Sequence, residues 1–124
     1  GIASKAREAW ERSVKIAERY LEINPQDSRA YYSGANGLMA LGEREKSLEW
    51  LQKALELDPD DGMLLYNAGC VYAMAGLKDK AFDALNQSVD AGLNQIAWFQ
   101  NDSNLDALRD DPRFKALLSR MAVA

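Results

Sequence analysis

One cysteine, two acidic clusters and two Asn-x-Ser triplets are the residues of this 124-residue chain that could carry chemistry. A reactive thiol needs nearby cations or a helix N-terminus to stabilise the thiolate. Cys70 has neither in its local sequence, so it reads as a small apolar residue. Asp58, Asp60 and Asp61 beside Gly62, and Asp102, Asn104 and Asp106, have a spacing faintly like a calcium loop. Neither has the loop's glycine in place or its closing Glu, and both read as helix caps and turns. The triplets at Asn86 and Asn101 matter only in a secreted chain. The chain has no His, so it offers no His-assisted nucleophile and lacks the commonest metal ligand. No catalytic residue, metal or cofactor is expected.

The elements that must position these residues are helices. Ala contributes 19 residues and Leu 16, while Val and Ile together give 8 and Thr none. Strong helix formers dominate and the preferred side chains of a sheet are scarce, so the expected fold class is all-α. The net charge of −4 argues against nucleic acid, which needs a basic footprint. No apolar run approaches the ~20 residues of a membrane span, and no secretory signal opens the chain. A single domain spanning 1–124 is expected, in a reducing compartment, the cytoplasm. The opening Gly1, Ile2, Ala3 lacks an initiator Met, which reads as processing or excision.

Spacing organises the chain further. Pro25 and Pro59 lie 34 residues apart, as do Gly42 and Gly76, Asp27 and Asp61, Tyr32 and Tyr66, and Leu51 and Leu85. A fixed period in this range marks a stacked repeat. Each repeat reads as two helices, 27–41 with 44–57, then 61–75 with 78–91. Their expected stops are Gly42, Asp58 before Pro59, Gly76 and Gly92. Residues 4–23 read as the second helix of a repeat whose first helix is absent. The tail, 96–121, departs from the period. It begins another first helix at Ile96–Phe99, breaks at Asp102–Asn104, and ends in a helix opened by Pro112.

These residues resemble the tetratricopeptide repeat (TPR) family. Residues 28–61 supply Tyr31, Ala35, Leu38, Gly42, Ser47, Leu51, Ala54 and Pro59. Residues 62–95 supply Leu65, Gly69, Tyr72, Gly76, Ala81, Leu85 and Ser88. The resemblance implies a right-handed superhelical stack of antiparallel helix pairs, a TPR-type α-solenoid of about 2.5 repeats plus a C-terminal capping helix. The runs Tyr66–Ala73 and Asn104–Phe114 are similar to segments in the C-terminal repeat regions of bacterial multidomain signalling proteins, such as class III adenylate cyclases and serine/threonine kinases. That likeness implies a non-catalytic, regulatory region of a longer chain.

In such repeats the first helices line a concave groove, and a second stripe on each points into it. Here that stripe reads Arg29, Tyr32, Asn36, Met39, then Met63, Tyr66, Cys70, Ala73, then Ala97, Gln100, Asn104, with Asn67 beside it. Tyr and Met suit adaptable recognition of a partner peptide or helix. The carboxylate clamp of co-chaperone repeats is excluded. Its Asn places hold Asn36 and Asn67, but its cation places hold Tyr32, Ala97 and Asn101. The alternative role is structural: the lone opening helix could pair with a second copy to give a homodimer. Trp10, Trp50 and Trp98 read as seam-filling side chains.

Overall fold

The computed structural model describes residues 2–122; Gly1, Val123 and Ala124, included in the expected 1–124 domain, lie outside them. It is all-α, with no strand among the described residues. The chain divides into two compact units at Pro59 and Asp60.

The first unit contains α1 (Ile2–Ile23), α2 (Ser28–Ala40) and α3 (Arg44–Leu57). The opening helix therefore starts two residues before the expected residue 4. Asn24 ends it, its side-chain oxygen accepting from Gln26 N–H in the turn through Pro25. Asp27 caps α2 by accepting from Ala30 N–H at 3.1 Å, which satisfies one of the donors left open at a helix start. The helix stops at Gly42, whose φ of +84° only glycine adopts without strain. Gly42 N–H donates to Met39 O and Glu43 N–H to Leu38 O, the paired bonds of a Schellman turn.

α2 lies between α1 and α3, and two glycines allow this. A Cβ on Gly34 would fall 2.2 Å from the Trp50 ring of α3 and 3.2 Å from Ala17 of α1. One on Gly37 would fall 2.9 Å from Val14 of α1. On the α3 side, Ser47 is fully buried, its hydroxyl donating to the Ala35 carbonyl at 2.6 Å. Leu38, Leu51 and Ala54 complete that seam, each buried. Trp50 stands edge-on to Tyr31, with the Lys46 ammonium over its ring. Its ring fills the seam within the repeat.

The second unit repeats the pattern with α4 (Gly62–Met74) and α5 (Lys78–Asp90). Asp61 caps α4 through Met63 and Leu64 N–H, 34 residues after its counterpart. Gly76 and Gly92, at φ +77° and +105°, close the two helices with the same paired bonds. Gly69 admits Leu85 of α5, which would lie 2.6 Å from a Cβ there. Three further elements follow: α6 (Ile96–Asn101), a 3-10 segment (Ser103–Leu108) and α7 (Pro112–Ala122). They supply Phe99, Leu105, Leu108, Phe114, Leu117 and Met121 to one buried cluster with Tyr66, Cys70, Phe82 and Leu85.

Polar clasps hold this tail. Arg109 donates to the carbonyls of Phe99 and Asp102, pairs with Asp106, and lies over the Phe114 ring. Arg113 pairs with Asp79 of α5 and with Asp111, its guanidinium stacked 4.4 Å from the Phe82 ring. Arg120 binds Asp90 and the Asn86 side chain, both on α5.

Candidate functional site

The structure separates the sequence-derived site residues into two groups by accessibility. On α2, Arg29 is exposed and Tyr32, Asn36 and Met39 are half-buried. Their spacing of three and four places them along one side of the helix. The other sides of α2 carry Gly37 toward α1, Tyr31 and Ala35 toward α3, and Gly34 between Trp50 of α3 and Ala17 of α1. Of this stripe only Arg29 is exposed, and the other three keep part of their surface accessible.

The equivalent stripe on α4 is more deeply covered. Met63 is 45% exposed, but Tyr66 and Cys70 are 5% and 6% exposed and Ala73 is also buried. The expectation that Tyr66 and Cys70 line an open groove is corrected by what covers them. α6 and the 3-10 segment turn back over this part of α4. Tyr66 packs against Phe99 at 4.9 Å between ring centroids and against Trp98 at 5.8 Å. Its hydroxyl donates to Asp102 Oδ2 at 2.8 Å, with the Trp98 carbonyl at 3.3 Å. Cys70 Sγ points to the same carboxylate oxygen at 3.6 Å. Asn67 is half-buried, and Gln100 and Asn104 are exposed.

The sequence reads Asp102 as a cap or turn residue, and the structure bears this out and adds a second role. In the structure its Oδ1 caps the 3-10 segment through Asn104 N–H, while its Oδ2 receives Tyr66 and Cys70. Burial raises the Tyr66 pKa well above the usual phenol range, and the Asp102 hydrogen bond adds to it. Burial likewise pushes the Cys70 thiol up to about 12, with the Asp102 charge second. A thiol held protonated beside a carboxylate is a poor nucleophile, so the cluster is structural. The capping role had a local signal, Asp followed by Ser and Asn, whereas the contacts to Tyr66 and Cys70 join residues more than 30 positions apart and had none.

The other acidic candidates also have structural partners. Asp61 caps α4 and Asp106 pairs with Arg109. No group of three or more His, Cys, Asp or Glu placed to hold a metal occurs among the described residues. Asn86 donates to the Phe82 carbonyl and accepts from Arg120. No helix among the described residues is long and apolar enough to cross a membrane.

Two surface hollows adjoin the candidate residues. In the second unit, one of about 390 Å³ is lined by Met63, Tyr66, Ala97, Trp98, Asn101 and Asp102. Trp98, 40% exposed, forms its rim. In the first unit, a hollow of about 370 Å³ lies between α1 and α2, with Ile16, Tyr20 and Arg29 among its lining.

Comparison with known proteins agrees with this architecture. Residues 35–76 match the model of a family described as TPR repeat. No curated protein sequence matches the chain significantly. Among solved structures, the chain is similar to the crystal structure of MamA, with a TM-score of 0.66 at 19% identity over 88% of this chain and 63% of that one. A MamA RS-1 ArsTM double mutant gives 0.67 at 19% identity, over 99% and 70%. The likeness is one of fold, and this chain spans 63% of the length of the first.

Proposed function

We propose that this chain is a non-catalytic protein-interaction module that receives a partner peptide or helix on the outward face of α2. TPR repeats mediate protein–protein interaction in general and are non-catalytic. The observation that carries the assignment is the α2 stripe itself. Arg29, Tyr32, Asn36 and Met39 combine a cation, an amphipathic aromatic ring, an amide and a flexible thioether on one helix side. That mixture suits an adaptable contact. In the second unit, Met63, Asn67, Gln100 and Asn104 remain candidates, whereas Tyr66 and Cys70 act from beneath. We further place the module in the cytoplasm, as a regulatory region of a larger bacterial signalling protein. Support for that context comes from the likeness of the runs Tyr66–Ala73 and Asn104–Phe114. A cyclase or kinase domain encoded upstream in the parent gene would support it, and an unrelated domain would remove it.

The groove assignment is tested by a photo-crosslinking residue placed at position 32 or 39, with position 53 on α3 as the control. Adducts to a single partner at 32 and 39, absent at 53, are expected. Adducts only at 53 would move the binding surface off α2. Self-association through α1 is the second reading: an exposed apolar stripe favours it, and the charges beside that stripe oppose it.

A further inference from the structure

The hollow between α4 and α6 contains a charge that no cation among the described residues answers. Its walls are Met63 and Tyr66 of α4, Ala97, Trp98 and Asn101 of α6, and Asp102. Asp102 Oδ2 accepts from Tyr66 and Cys70, and its Oδ1 accepts from Asn104 N–H. These donors are neutral. They orient the carboxylate and leave its negative charge whole. Arg109, the cation that contacts this residue, reaches only its backbone carbonyl, and the guanidinium pairs with Asp106. No Lys or Arg among the described residues forms an ion pair with the Asp102 carboxylate. A half-buried carboxylate beside aromatic rings attracts a cation more strongly than one in open water.

The apolar lining fits the rest of such a ligand. Trp98 and Met63 are 40% and 45% exposed. Tyr66 lies beneath, its ring centroid 5.8 Å from that of Trp98 and its plane tilted by 55°. An indole is the best aromatic platform for an ammonium or guanidinium group. A thioether and a ring surface suit the methylene stem of a long basic side chain. At about 390 Å³ the hollow is at the small end of ligand pockets, with room for one side chain. Its opening follows the repeat. Arg29, Met63 and Ala97 share one register, 34 residues apart, and all three are exposed. The hollow therefore opens on the side that each first helix keeps free.

We propose that this hollow receives a single lysine or arginine side chain of a partner protein. The stem lies along Trp98 and Met63, and the charged head meets Asp102 beside the Asn101 amide. The site shares only Met63 with the residues of the α2 reading and its second-unit candidates, and neither assignment depends on the other.

The test uses the whole chain, isotope-labelled for two-dimensional NMR, and capped pentapeptides with lysine, arginine, norleucine or glutamate at the centre of a Gly-Ser frame. Norleucine keeps the lysine stem without its charge. At low salt the basic peptides are expected to shift the Trp98 indole and the Ala97 and Asn101 amides. They should bind about tenfold more tightly than the norleucine peptide, and the glutamate peptide should leave those signals in place. Asp102→Asn, which keeps the side-chain shape, should bring the basic peptides down to the norleucine level. Trp98→Leu keeps an apolar cover over Tyr66, identifies the indole signal by its loss, and should weaken the basic peptides about threefold. Circular dichroism checks the fold of both variants, and Trp98→Leu carries the test if Asp102→Asn unfolds. Norleucine binding as tight as that of lysine and arginine overturns the inference. So do shifts confined to residues outside the hollow, basic-peptide binding that survives substitution in a folded variant, or no shift with either basic peptide at millimolar concentration.

Discussion

At the scale of the residue, Asp102 does the most with one side chain. Its two oxygens separately serve the start of the 3-10 segment and the buried Tyr66–Cys70 pair. Asp102→Ala removes the acceptor for a buried hydroxyl as well as a cap. A loss of about 1–3 kcal/mol is expected, measured as a lower urea midpoint. The same cluster sets an alkaline limit. The Cys70 thiol, near 9.0 when unperturbed, is pushed up to about 12 in the fold, and Tyr66 is displaced upward too. The unfolded chain therefore loses these protons first. Stability contributed by the neutral groups is full below about pH 9 and declines as pH rises toward 12. Urea melts near pH 8 and pH 10 should show the decline, and a Cys70→Ala variant should show less of it.

At the scale of the element, helix boundaries were legible because local chemistry sets them. Asp27 and Asp61 cap, and Gly42, Gly76 and Gly92 close, without reference to anything distant. The all-α class followed from the same local preferences. Burial on α4 was not legible. The periodicity correctly put Tyr66 and Cys70 on one side of the helix, but what covers that side arrives some 30 residues later, when α6 folds back. α2 has the same stripe chemistry with different neighbours, and there Tyr32, Asn36 and Met39 are half-buried rather than sealed. The glycines within α2 were also passed over, since a glycine inside a helix reads as a weak point rather than a place of close approach. Gly34 gives the test. Ala is favoured over Gly in a helix by about 1 kcal/mol, but its Cβ would fall 2.2 Å from the Trp50 ring. Gly34→Ala is expected to destabilise by about 1–3 kcal/mol through overpacking. A raised melting temperature would show that Trp50 swings aside freely.

At the scale of the whole molecule, the two units differ in what they bury. The first relies on small side chains, with Ala17, Ala30, Ala35 and Ala54 prominent beside Leu38 and Leu51. The second buries Phe82, Phe99, Phe114, Leu85, Leu105, Leu108 and Leu117, and adds the three arginine clasps. Stabilisation follows the apolar area removed from water, at about 25 cal/mol per Å². Amides of α1–α3 are therefore expected to exchange with deuterium sooner than those of α4, α5 and α7. Equal protection throughout would contradict this. The sealed thiol gives the second unit its own clock. Cys70 is the chain's one sulfhydryl, and it lies under the α6 fold-back. Each encounter with an alkylating reagent thus requires that cover to lift. The rate at which a single label appears counts how often the tail lets go, with no second thiol to confuse the tally and no engineered probe.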